Sequence, residues 1–166
     1  MATATATSGS AKVSLQGDRQ LLITREFNAP RHLVYRAMTE PELVKRWWNA
    51  KRGEVTMAEI DLRVGGTWRY VMITPDGTEV AFHGEYREIV PNERIVSTEL
   101  YEMPGLTDDD ATVNTVSLTE HDGRTTFTCL IDCPVPETRD AIIESGMEAG
   151  MQDAYDLLEE VAIGLH

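Results

Sequence analysis

The stretch ETRDAIIESGMEAGMQDAYDLLEEVAIGL, residues 137–165, decides the fold of this chain. Apolar or small residues recur in it at the three-and-four spacing of one helix face, namely Ile142, Ile143, Met147, Met151, Ala154, Tyr155, Leu158, Val161 and Ala162. Acidic residues hold the opposite, solvent-facing side, namely Glu144, Glu148, Asp153, Asp156, Glu159 and Glu160. The pattern predicts one amphipathic helix roughly 40 Å long. A helix of this length needs a broad apolar surface to cover.

The residues before this helix predict that surface as an antiparallel sheet. Alternating, β-branched segments separated by short turns predict about seven strands, at residues 20–27, 55–62, 67–74, 80–90, 94–102, 113–120 and 125–132. Turns such as Pro75-Asp76-Gly77 favour antiparallel neighbours. Between the first two strands, Asn28 with Pro30 and Thr39 with Pro41 provide start signals for two short helices. The order predicts an α+β fold in which the sheet curls around the C-terminal helix and leaves a cavity beneath it.

Length and composition limit the classes of protein that the chain can represent. Its 166 residues fit one domain; we expect residues 1–18 to be a disordered or loosely ordered tail and residues 19–166 to be the domain. With 15 basic and 28 acidic residues the net charge is −13, which disfavours nucleic acid and anionic membranes as partners. No apolar run approaches the roughly 20 residues needed to span a bilayer, and the basic-then-apolar order of a signal peptide is missing, so we expect a cytoplasmic location. Cys129 and Cys133 are too far apart on one strand for a disulfide, so we expect free thiols.

Several segments together resemble a known family. They are ITREFNAPRHLVYRAMTEPELVKRWW from Ile23, IDLRVGGTWRY from Ile60, FHGEYREIVPNERIV from Phe82 and the C-terminal EAGMQDAYDLLEEV. This order resembles the helix-grip fold of the START-like, birch-pollen-allergen-like SRPBCC superfamily. Within that superfamily, it resembles the family named for the activator of heat-shock protein 90 ATPase. The chain departs from the usual family pattern where Asn49 follows Trp48 and where Met151 follows Gly150, two positions expected to shape the pocket.

Strand alternation and helix spacing predict which side chains face the cavity. The candidate ligand-binding residues are Trp48, Trp68, Tyr70, Met72, Phe82, Tyr86, Asn114, Val116, Phe127, Met147, Met151 and Tyr155. A filled hydrophobic core is the competing interpretation. The mixture of methionine, tyrosine and asparagine favours a pocket, because a purely structural core more often uses leucine and isoleucine. Of Trp47 and Trp48, we expect one to be buried and the other to guard the entrance.

Three functions stay open at this point. The first is binding of a small hydrophobic or aromatic molecule without catalysis or cofactor, with homodimerisation through sheet edges as an option. The second, implied by START-like relatives, is a cyclase, dehydratase or hydrolase acting on a polyketide-like compound, for which a buried carboxylate, histidine or tyrosine pair facing the cavity would be diagnostic. The third, implied by the family name, is a chaperone-partner domain. The sequence has no catalytic motif or metal-ligand spacing, and we interpret His83 with Glu85 as a solvated polar face.

Overall fold

The fold is an eight-stranded antiparallel sheet curved against a C-terminal helix. The computed structural model describes residues 11–165. Its strands are β1 (Lys12–Gln16), β2 (Gln20–Phe27), β3 (Glu54–Ile60), β4 (Thr67–Ile73), β5 (Glu79–Val90), β6 (Arg94–Tyr101), β7 (Thr112–His121) and β8 (Arg124–Asp132). They lie in the order β1-β2-β8-β7-β6-β5-β4-β3. Register shifts in the β3–β4 and β5–β6 pairs mark irregularities that bend strands. The predicted curved antiparallel sheet is therefore confirmed.

The strand that the sequence did not predict is β1. Residues 11–18 were assigned to a loose tail, but Lys12–Gln16 pairs along its length with Gln20–Thr24 of β2. The tail prediction is wrong for this segment, and its part covering residues 1–10 lies outside the described residues. Four of the five β1 residues are exposed, because β1 is an edge strand held mainly by backbone hydrogen bonds.

Four helices complete the fold: α1 (Arg31–Thr39), α2 (Pro41–Trp47), α3 (Pro136–Glu144) and α4 (Met147–Ile163). The pair α1 and α2 is at the predicted place, and each helix begins one residue after its cap position, which Pro30 and Glu40 occupy. The single helix predicted for residues 137–165 is interrupted at Ser145-Gly146. Gly146 has φ of 79°, a left-handed conformation that glycine adopts without strain and that ends one helix before the next begins.

The main core lies between the concave face of the sheet and α4, with α1 and α2 also packed against α4. Leu158 of α4, Val34 of α1 and Val44 of α2 are completely buried there. In contrast, α3 contributes no fully buried residue, and only its Ile142 packs partly against the core, so α4 is the main cover of the concave face. No helix among residues 11–165 is long and apolar enough to cross a membrane.

A buried arginine joins the sheet to α4. The side chain of Arg25 on β2 is 0% exposed and lies 2.8 Å from Asp156 and 3.1 Å from Glu159, both on α4. Its guanidinium also lies 5.0 Å from the ring centroid of Phe27. Asp156 and Glu159 were assigned to the solvent-facing side of the helix from periodicity alone. They instead neutralise a buried cation and fix the position of α4 on the sheet.

Candidate functional site

A cavity of about 420 Å³ lies between the concave face of the sheet, the end of α2 and the N-terminal half of α4. Six strands contribute to its wall, and α4 closes it with Met147, Gly150, Met151, Ala154 and Tyr155. Gly150 matters here, since an added Cβ at this position would meet no atom within 4 Å. The helix therefore leaves open space where a side chain would otherwise stand.

Nearly all of the predicted candidate residues lie together in the cavity wall, namely Trp48, Trp68, Tyr70, Phe82, Tyr86, Asn114, Val116, Phe127, Met147, Met151 and Tyr155. Met72 is the one that does not. It lies near the end of β4, is buried, and packs so close to Gly53 that a Cβ on that glycine would lie 3.0 Å from its Cγ. Its place in the site was therefore wrong: alternation identified the correct face of β4, but not how far along the strand the cavity extends.

One end of the cavity is walled by a cluster of aromatic rings. The Trp48 ring lies 5.3 Å from Tyr70 and 5.7 Å from Phe82, both edge to face, and Trp68 lies 4.7 Å from Tyr70. Trp47 is buried, contributes to the cavity lining, and donates its indole N–H to the carbonyl oxygen of Ala37 at 2.8 Å. Both tryptophans therefore line the cavity, but only Trp47 also anchors α2 to α1, while the Trp48 ring packs against Tyr70 and Phe82.

A second aromatic cluster closes the other side under α4. Tyr155 lies 5.1 Å from Phe127 and 6.1 Å from Phe27, and the two phenylalanines are 5.8 Å apart. Cys129, two residues after Phe127 on β8, also lines the cavity. Aromatic rings from β4 and β5 and from β8 and α4 therefore all contribute to the cavity wall.

The most informative residue in the site is Glu99 on β6, which the sequence did not identify. It lines the cavity beside Ser97, and its Oε1 accepts a hydrogen bond of 2.7 Å from Nδ2 of Asn114 on β7. The amide oxygen of Asn114 in turn accepts from the hydroxyl of Thr112 at 2.8 Å. Burial raises the pKa of Glu99, and the hydrogen bond from Asn114 opposes this effect only in part. A carboxyl group thus lies in an otherwise apolar wall.

The other ionisable groups in the cavity wall stay neutral. Burial, assisted by the nearby Glu99, raises the pKa of Cys129 to about 12. Burial likewise raises the pKa of Tyr70 well above its usual value of 10, with Tyr86 and Glu99 adding to the shift. Burial also raises the pKa of Tyr155, with Cys129 and Glu99 contributing. Among residues 11–165 the lining contains no lysine, arginine, histidine or aspartate, so Glu99 is its one carboxyl group and has no basic side chain beside it in the wall.

The outer face of the sheet carries a separate polar cluster. Arg69 binds Glu102 through two hydrogen bonds of 2.8 Å, and Nδ1 of His83 lies 2.8 Å from the same carboxylate. His83 therefore pairs with Glu102 rather than with Glu85, which agrees with its predicted place on a polar face. Asp61 and Arg63 form a separate exposed pair at 2.8 Å. Residues 11–165 contain no cluster of three or more potential metal ligands.

Fold and cavity together define a class of protein. A curved antiparallel sheet that grips a C-terminal helix over an apolar cavity is the helix-grip architecture of START-like proteins. The model of the family "Activator of Hsp90 ATPase homolog 1-like protein" matches residues 28–162. The chain belongs to this family, as its sequence motifs indicated.

Solved structures of bacterial proteins are similar over nearly the whole chain. A protein from Rhodobacter sphaeroides is 26% identical with a TM-score of 0.84, and the alignment covers 95% of this chain and 100% of that one. A protein from Nitrosomonas europaea is 25% identical with a TM-score of 0.78, covering 92% and 99%. One from Chromobacterium violaceum is 26% identical with a TM-score of 0.76, covering 88% and 98%. The curated proteins contain no match.

Proposed function

We propose that this protein binds one small, hydrophobic and largely aromatic molecule in the cavity beneath α4. The observation that carries the proposal is the cavity itself. Its volume of about 420 Å³ falls within the range of roughly 300–1,000 Å³ typical of small-molecule sites. A filled core, the competing interpretation of the same residues, would leave no space of this size, since protein interiors pack with few voids larger than a water molecule.

The composition of the wall supports the same function. Faces and edges of Trp48, Tyr70, Phe82 and Phe127 offer large apolar contact area. Met147 and Met151 on α4 add flexible side chains that adapt to the shape of a guest. A few polar groups in an apolar pocket are the arrangement by which binding sites orient a ligand.

Gly150 provides the experiment. A Gly150→Phe variant should place an aromatic ring in the open space next to the cavity, whereas Gly150→Ala adds one methyl group and keeps the cavity open. Both substitutions favour the helix relative to glycine, so both variants should fold. Titration with the neutral fluorophore prodan should show saturable, one-to-one binding to the wild type and to Gly150→Ala, weakened at least tenfold in Gly150→Phe.

Two results would reject this function. Absence of saturable prodan binding to the wild type, together with no co-purifying molecule in native mass spectrometry, would mean that the cavity does not accept guests. Equal binding to wild type and Gly150→Phe would place the fluorophore elsewhere on the protein.

Glu99 also supports a second candidate, an enzyme that acts on the bound molecule. A carboxyl group with a raised pKa facing a cavity is the kind of group expected for general acid-base catalysis. Any molecule released from the purified protein should be incubated with wild type and with Glu99→Gln. Conversion by the wild type that is lost in Glu99→Gln would favour an enzyme, and recovery of the molecule unchanged from both would favour a binding protein.

A further inference from the structure

Within residues 11–165, no basic side chain pairs with the carboxyl group of Glu99. Asn114 Nδ2, which binds Oε1, is the one hydrogen-bond donor to this carboxyl within residues 11–165. Its second oxygen, Oε2, accepts no hydrogen bond from that part of the chain. The side chain is only half-buried because its remaining accessible surface faces the cavity. The free oxygen is therefore available to a guest in the cavity.

Such a group does not serve the stability of the fold. A buried carboxylate without an opposite charge is destabilising, and proteins normally pair it or replace it. The chain does pair its other deeply buried ion, since Arg25 contacts both Asp156 and Glu159. An unpaired carboxyl at the cavity wall, held in one orientation by Asn114 and Thr112, has the features of a binding group that awaits its partner.

Glu99 also lies within electrostatic reach of several cavity walls. Its charge acts on Tyr70 of β4, on Cys129 of β8 and on Tyr155 of α4. These residues come from opposite sides of the cavity, so a guest of ordinary size would contact Glu99 and the aromatic rings at the same time. Aromatic faces attract cations through their quadrupole, and the net charge of −13 attracts cations to the protein as a whole.

We propose that the ligand is a hydrophobic amine whose protonated nitrogen pairs with Glu99 while its apolar body lies among the aromatic rings of the cavity. This inference rests on the proposed binding function and specifies the chemical class of the ligand. The carboxyl supplies the opposite charge, Asn114 keeps it oriented, and the rings around Trp48 and Tyr70 supply apolar contact and cation–π attraction. Hydrophobic carboxylic acids are excluded from tight binding, because their charge would be repelled by Glu99 with no cation in the wall to compensate.

The test compares two probes of nearly equal shape. Calorimetric titrations with 1-naphthylmethylamine and with the neutral 1-naphthalenemethanol at pH 7 should show that the wild type prefers the amine by tenfold or more, as expected of a hydrogen bond between charged groups. The preference should fall to about twofold or less in Glu99→Gln, in which the side-chain oxygen can still accept from Asn114. Glu79→Gln, an equal change of charge at an exposed position of β5, should keep the full preference.

Each other outcome overturns the amine proposal, and the outcomes distinguish its failure from failure of the binding function. Equal affinity of the wild type for both probes would leave a cavity that binds apolar molecules without reading charge. A preference for the alcohol would mean that Glu99 acts as a neutral hydrogen-bond donor to an uncharged ligand. An amine preference that persists in Glu99→Gln would assign the charge recognition to another residue. Failure of both probes and of prodan to bind would reject the binding function together with the ligand class.

Discussion

Replacing Arg25 by methionine should lower the free energy of unfolding by about 3–5 kcal/mol. The guanidinium is 0% exposed, and methionine of similar length would leave its two carboxylate partners without their cation. The two partners should not contribute equally. Glu159 is 13% exposed and also accepts the backbone N–H of Asn28, whereas Asp156 is 40% exposed and better solvated. Glu159→Gln should therefore destabilise the protein more than Asp156→Asn.

For a chain of this length, about 3–5 kcal/mol corresponds to a fall in Tm of about 6–20 °C. Thermal and urea unfolding followed by circular dichroism would measure both quantities. Arg124→Met is the matched control, because Arg124 forms a pair with Glu26 in which both side chains are about half exposed, at 3.6 Å. Its loss should cost about 0–1 kcal/mol. If Arg25→Met cost no more than this control, the buried ion pair would not be what holds α4 on the sheet.

Three further predictions concern stability and reactivity. The hydrogen bond from Arg69 lowers the pKa of Glu102 to about 2 from an ordinary value of 4.5. The stabilisation of the fold by ionised Glu102 should therefore be complete above pH 4.5 and decline as the pH falls toward 2. Urea midpoints of wild type and Glu102→Gln should converge over that range, and a constant difference would contradict the assignment. Gly84→Ala should destabilise the protein by about 1–3 kcal/mol in urea unfolding, because its Cβ would collide with the carbonyl oxygen of Thr98; an unchanged midpoint would show that the strands can separate. Cys129, buried and with its pKa raised to about 12, should resist iodoacetamide in the native protein at pH 8 and react after unfolding; rapid native labelling would mean that the cavity is open to solvent there.

Much of the fold could be predicted because its signals are local. The segment 20–27 shows the alternation of a half-buried strand, and turns such as Pro75-Asp76-Gly77 fix the ends of hairpins. The strand β1 was missed because the segment is only five residues long and four of them are exposed, although Val13 and Leu15 alternate with polar residues. The break between α3 and α4 was missed because the apolar spacing continues across Gly146, whose left-handed conformation only the structure reveals.

The cavity wall could be predicted from alternation where one face of a strand is plainly more aromatic, as on β4 and β5. On β6 the signal is ambiguous, since Ile95, Ser97 and Glu99 on one face alternate with residues that are equally apolar on the other. Pairing resolves it: Ser97 lies opposite Asn114, a residue already assigned to the interior. Counting the register of the β6–β7 pair from Asn114 would have placed Glu99 in the cavity. The most informative polar group therefore depends on strand pairing, which single-strand patterns do not contain.

Binding of a guest beneath α4 can be tested most directly with the methionines, which the chain distributes inside and outside the cavity. Those that line it are Met38, Met147 and Met151. Those elsewhere in the described part of the chain are Met57, Met72 and Met103. The measurement is a titration of protein carrying ¹³C-labelled methionine methyl groups with 1-naphthylmethylamine, followed by NMR. We expect saturable shifts of the three cavity methyl signals with a single affinity, while the other three stay nearly unchanged. Shifts confined to the methionines outside the cavity, or no saturable shift in any signal, would contradict it.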